Sequence, residues 1–137
     1  LNSLHAHSLR KHEILRARNH TAHLFKSGRS VRGSFLTIIY TAFNDETAYV
    51  GRGDAVLFAV GKKNVPSAVM RNRIKRLMRE AYRLEKPFRS IFLMPHVEMA
   101  SGPFRIAFIY TGRRKAIPGL DAFRSEMRTL MKNTGIV

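Results

Sequence analysis

Residues 71–83 read Arg71-Asn72-Arg73-Ile74-Lys75-Arg76-Leu77-Met78-Arg79-Glu80-Ala81-Tyr82-Arg83, and six of the thirteen are Arg or Lys. The apolar residues nevertheless keep helical spacing. Met70, Ile74, Leu77, Ala81 and Leu84 recur three or four positions apart and make one stripe of a helix. Arg71, Asn72, Lys75, Arg76, Arg79 and Arg83 cover the other side, with Arg73 nearer the stripe's edge. One side of this helix must therefore anchor in a core while the other stays cationic. A solvated helix face normally mixes signs through i, i+4 pairs. Here only Glu80 and Glu85 stand against six cations, so the face repels itself unless something anionic lies alongside it.

The whole chain shares this bias. It has 25 Lys and Arg against 9 Asp and Glu, a formal net charge of +16 in 137 residues. Such an excess destabilises a compact state through self-repulsion, and a polyanion relieves it. Nucleic acid fits best, because neutralising its phosphates releases counterions and drives binding. Arginine outnumbers lysine 17 to 8; the guanidinium fork suits phosphate and base stacking, which favours specific RNA contacts over diffuse screening. A membrane surface ranks second, and no apolar run approaches the roughly 20 residues of a transmembrane span. With no cysteine, disulfides, thiolate metal sites and cysteine nucleophiles are excluded, and a reducing cytoplasm is the expected setting. Leu1–Leu9 lack the long apolar centre of a signal peptide.

The length suits one domain. Residues 1–9 are expected to be a flexible tail, and residues 10–134 a single RNA-binding domain. A weakly amphipathic helix is expected from about Arg10 to Lys26, stopped by Ser27-Gly28. Phe35 to Phe43 and Ala55 to Val60 read as strands, joined across a turn near Asn44-Asp45-Glu46. Pro66 and Ser67 are suited to open the basic helix. That helix is expected to end near Leu84, with Pro87 as its breaker. Phe104 to Tyr110 reads as a third strand. Leu120, Phe123, Met127, Leu130 and Met131 define a last amphipathic helix. The order α-β-β-α-β-α, with room for an extra strand or helix in residues 88–103, predicts an α+β fold, a small α/β sandwich.

Nothing in the chain resembles a protein-borne catalytic centre. Two-metal hydrolysis needs several converging carboxylates, and the nine acids are scattered. No Gly-x-Ser-x-Gly nucleophile elbow is present. His20 and His23 stand three apart on the first helix, but without cysteine and with sparse acids they read as exposed polar residues. No catalytic or metal-ligating residue is expected, and the chain reads as a binder.

The order of the basic residues carries a resemblance. Lys62-Lys63, Ala68-Val69, Arg71-Asn72-Arg73-Ile74-Lys75-Arg76 and Arg79-Glu80 resemble the signature of the bacterial ribonuclease P protein subunit. Leu15-Arg16 and Leu24-Phe25-Lys26-Ser27-Gly28-Arg29-Ser30 look like that family's first helix and turn, and the similarity extends loosely over residues 10–132. Thr21 departs from the aromatic that many members carry there. Asn64-Val65-Pro66-Ser67 replaces a Gly-Asn pair, and residues 88–103 exceed the usual connection.

The resemblance implies a left-handed βαβ crossover around the basic helix. It implies that Arg71, Asn72, Arg73, Lys75, Arg76 and Arg79 contact the catalytic RNA. It also implies that Phe25, Phe35, Lys62 and Lys63, with Arg16, Arg18 and Lys26, border a cleft for the 5′ leader of precursor tRNA. Catalysis would then belong to the RNA subunit, with Mg2+ held mainly by RNA phosphates. One protein per RNA would be expected, with no obligate homodimer. For Phe25 and Phe35 the residue-level alternative is core packing, the commonest fate of phenylalanine. The alternative function is a structural, ribosomal-type RNA-binding protein. A DNA-binding regulator is a further rival, but a strand and loop precede this helix where helix-turn-helix spacing would be needed.

Overall fold

A computed structural model describes residues 14, 18–42, 55–93, 104–112 and 116–134. Its elements are α1 (Arg18–Ser27), β1 (Arg29–Arg32), β2 (Leu36–Ala42), β3 (Ala55–Val60), α2 (Ala68–Leu93), β4 (Phe104–Tyr110) and α3 (Leu120–Thr134). The strands form one mixed sheet in the order β1-β2-β4-β3. β1 pairs antiparallel with β2, and β2 with β4, whereas β3 runs parallel to β4. Since β3 and β4 are parallel neighbours, the chain must cross over between them, and α2 lies in that connection.

Helices cover both faces of the sheet, and strand alternation assigns the side chains. Leu36 and Ile38, Val56 and Phe58, and Phe104, Ile106, Phe108 and Tyr110 face α2 and α3. These helices contribute Ile74, Met78, Ala81 and Tyr82, and Phe123, Met127, Leu130 and Met131, to the same core. Ile39, Leu57 and Ala107 point the other way and meet Leu24 of α1. This double coverage explains why β4 reads as an almost unbroken apolar run: it is central and buried on both faces.

Local chemistry sets the helix ends. The Gly28 N–H donates to the Leu24 carbonyl at 2.8 Å, and a Cβ at residue 28 would lie 2.5 Å from that oxygen. Only glycine admits this close a return of the chain into β1. At the start of α2, the Ser67 hydroxyl accepts from the Met70 N–H at 3.3 Å, as expected of an N-cap.

Four expectations need correction. Ile14 forms a parallel bridge with Val56, so the chain there lies along the sheet edge and the described helix begins at Arg18. A short strand, β1, precedes the expected first strand. Arg-Ser-Val-Arg carries one large apolar residue in four, too weak a pattern to read without its partner β2. α2 continues through Pro87 to Leu93. A proline there removes the bond to the Arg83 carbonyl and crowds that oxygen with its ring, and packing of the preceding turns against the core outweighs the combined cost of about 3 kcal/mol.

The buried stripe of α2 also sits differently. It centres on Ile74, Met78, Ala81, Tyr82 and Glu85, while Met70, Leu77 and Leu84 are half-buried at its margin. The tail at 1–9, the turn near 44–46 and residues 94–103 lie outside the described residues.

Candidate nucleic-acid interface

α2 presents its cations in three different states. Arg71 is folded back: its Nη1 donates to the carbonyls of Val65 at 2.9 Å and Pro66 at 2.7 Å. It thus ties the β3–α2 loop to the first turn of the helix. Arg83 pairs with Glu80, with its Nε 3.0 Å from a carboxylate oxygen. That pairing holds the Glu80 carboxyl below its usual range. Asn72, Arg73, Arg76 and Arg79 are exposed and Lys75 is half-exposed. The four cations among these five make no hydrogen bond or ion pair with any described residue. The result is a continuous cationic face on a helix whose opposite side is locked into the core.

The N-terminal end of α2 adds to this field. Its first turn holds no acidic residue to balance the positive end of the helix dipole. Lys62 and Lys63 are exposed in the turn just before it. The Arg71 bonds to Val65 and Pro66 tie the segment after that turn to the first turn of the helix.

A second surface lies across the sheet. α1 rests on the sheet through Leu24, beside Ala55, Ala107, Ile39 and Leu57. Elsewhere on that face Thr37, Thr41, Ala59 and Ile109 are half-buried, and Arg105, opposite Thr41, is buried at 5% exposure. Phe25 projects about 100° around α1 from Leu24 and is 45% exposed. Lys26 is exposed beside it, and Arg32 of β1 shares the sheet row of Thr37 and Ile109.

Phe35 is not part of this surface. Its ring packs edge-on against Phe123 at 5.1 Å and tilts against Tyr110 at 6.2 Å, on the α3 side of the sheet. The two phenylalanines thus lie on opposite faces and border no common cleft. Arg18 lies at the start of α1, and Arg16 lies outside the described residues.

Two acids do work that sequence reading missed. Glu126 of α3 accepts the backbone N–H groups of Phe35 at 2.7 Å and Leu36 at 2.8 Å, pinning the start of β2. Gly33 makes room for that carboxylate, since a Cβ there would meet its oxygen at 2.7 Å. Glu85 is 1% exposed and receives Arg124 Nε at 2.7 Å and Arg128 Nε and Nη2 at 2.9 and 3.0 Å. Burial pushes its carboxyl up, but the hydrogen bonds from Arg128 and Arg124 more than offset this, and it sits below the usual range. A signal for Glu85 existed: it falls on the same helical stripe as Met78 and Tyr82. Nothing local marked Glu126, whose partners lie some 90 residues away in the chain. Among the described residues no three His, Asp or Glu side chains gather as a metal site would require.

A mixed sheet sandwiched between helices, with an acid-poor cationic helix anchored by its apolar side, defines an α+β nucleic-acid-binding protein. The comparisons narrow that class. The family model described as Ribonuclease P matches residues 9–105. The ribonuclease P protein component of Chlorobium phaeobacteroides is 45% identical over 136 residues, covering 97% of this chain and 92% of that protein. Its counterpart in Chlorobaculum tepidum is 42% identical, covering 97% and 86%. The chain belongs to the bacterial ribonuclease P protein family. Solved structures agree in fold: the Staphylococcus aureus protein superposes with a TM-score of 0.67 at 17% identity, over 92% of this chain and 98% of that one. The Thermotoga maritima protein gives 0.59 at 22%, over 88% and 96%.

Proposed function

We propose that this ribonuclease P subunit docks on the catalytic RNA through the open face of α2 and turns its α1 side toward the 5′ leader of precursor tRNA. The observation that carries this reading is the division of labour within α2. Arg71 and Arg83 are engaged within the protein, whereas Arg73, Lys75, Arg76 and Arg79, with Asn72, remain available on a helix fixed in the core. Lys62 and Lys63 extend the same face toward phosphate. Phe25, exposed beside Lys26, offers a stacking platform for an unpaired leader base, worth about 1–3 kcal/mol per base. Phe35 belongs to the core and supports the site from behind.

The cleavage chemistry resides in the RNA. Magnesium takes oxygen ligands and keeps several waters, so RNA phosphates can hold it without protein carboxylates. The protein supplies screening between two polyanions, a catalytic RNA and a precursor tRNA, which would otherwise repel at low salt. One protein per RNA is the proposed stoichiometry, and the cytoplasm its proposed setting. No helix among the described residues is long and apolar enough to cross a membrane.

Reconstitution tests the reading. Added to ribonuclease P RNA at low magnesium, the chain should raise cleavage of precursor tRNA at the mature 5′ end. Arg73→Ala with Arg76→Ala should weaken assembly and flatten its salt dependence. Copurification with ribosomal RNA and no stimulation of ribonuclease P RNA would instead establish a structural RNA-binding role.

A further inference from the structure

Glu85, Arg124 and Arg128 form a triad that the docking face of α2 does not explain. The carboxylate is 1% exposed, while the arginine side chains that reach it from α3 are 30% and 51% exposed. One guanidinium would suffice to neutralise one buried carboxylate, and two are present. Arg128 forks onto Glu85 through Nε and Nη2. Arg124 uses only its Nε, and its Nη groups make no hydrogen bond with another described residue.

The two arginines are four residues apart, so they lie on the same side of α3. The buried carboxylate holds both cations in place from below, which removes much of the side-chain entropy that exposed arginines lose on binding. The Nη groups of Arg124, which Glu85 leaves unused, match the oxygens of a phosphodiester, and Arg128 adds its cation four residues on.

We propose that Arg124 and Arg128, held by Glu85, form a second phosphate-binding site for the RNA subunit, separate from the Arg73–Arg79 face. The choice of that RNA rests on the docking reading of α2. Glu85 lies twelve residues beyond Arg73 on the same helix, about 18 Å along its axis and about 120° around it, on the side that meets α3. An RNA seated on the first face and curving toward α3 would meet the triad at a fixed offset, several phosphate steps away. The site adds affinity by anchoring a second stretch of backbone, and it reads no sequence.

Removing the arginines alone would strand a buried carboxylate and destabilise the fold, so the test removes all three charges. Replacing a buried Arg-Glu-Arg triad by apolar side chains of similar volume is commonly tolerated. Glu85→Leu with Arg124→Met and Arg128→Met should thus fold. It should bind ribonuclease P RNA about tenfold more weakly at low salt, with the slope of log K against log salt reduced by about one to two. Arg124→Gln, which leaves the Glu85–Arg128 pair intact, provides a milder second variant and should lower the slope by about one. A folded variant of either kind with the wild-type salt slope overturns the proposal and leaves the triad as a strut between helices. A loss confined to precursor tRNA binding by the preassembled holoenzyme overturns the assignment to the RNA subunit. Arg73→Ala with Arg76→Ala, measured in parallel, reports separately on the α2 face: if that pair has no effect while the triad does, it is the docking reading that fails.

Discussion

Phe25 and Phe35 show how one residue type acquires two roles. Phe25 sits one position past the buried Leu24 on α1 and is left in solvent, whereas Phe35 turns into the rings of Phe123 and Tyr110. Phe35→Ala should cost about 2–4 kcal/mol in urea unfolding, somewhat less than a fully buried phenylalanine. Phe25→Ala should cost under about 1 kcal/mol, as for surface positions. It should instead weaken binding of precursor tRNA with a leader and spare leaderless tRNA. If Phe25→Ala proves as destabilising as Phe35→Ala, Phe25 is a packing residue. Glu126 makes a comparable point for an acid. Glu126→Ala leaves the N–H groups of Phe35 and Leu36 without their acceptor, and denaturant titration should show a loss of about 2–3 kcal/mol.

At the scale of the element, α2 is positioned by its polar contacts as much as by its stripe. Ser67 and Arg71 fix its entry, and Glu85 fixes its far half against α3. The sign of the pH effect follows from Glu85. Its carboxyl titrates lower in the folded chain than in the unfolded one, so its contribution is fully present above the ordinary value of 4.5. The contribution declines as pH falls below that value and is gone below the folded-state pKa. Thermal unfolding followed from pH 7 downward should therefore show an acid limb that is shallower in the Glu85→Leu, Arg124→Met, Arg128→Met chain. Equal acid limbs in both chains would show that the triad is not linked to acid stability.

For the whole molecule, the net +16 governs behaviour before any partner arrives. Raising salt from about 10 mM to about 100 mM shortens the screening length from roughly 30 Å to roughly 10 Å. The free protein should gain stability over that range, with Tm rising by about 3–5 °C if self-repulsion costs about 1 kcal/mol. RNA binding should weaken over the same range, because there salt competes for the phosphates. Opposite salt responses of folding and binding in one protein are the signature of charge held for a polyanion; a Tm indifferent to salt would mean that the excess charge is already balanced within the fold.

The sequence by itself determined the cationic helix, the strands at 55–60 and 104–110, the last helix and the polyanion partner. Each rests on periodicity or net charge, which are local or additive properties. The order around Arg71-Asn72-Arg73 carried the family. Tertiary structure alone decided the rest. β1 exists because β2 offers it a partner, and α2 passes Pro87 because its earlier turns are packed. Phe35 is core because α3 brings Phe123 to it, and Arg71 is tied to the β3–α2 loop because the carbonyls of Val65 and Pro66 turn toward its guanidinium. Contacts between residues far apart in the chain, and the burial they create, leave no mark in a local pattern; they form only when the sheet and its helices close on one another.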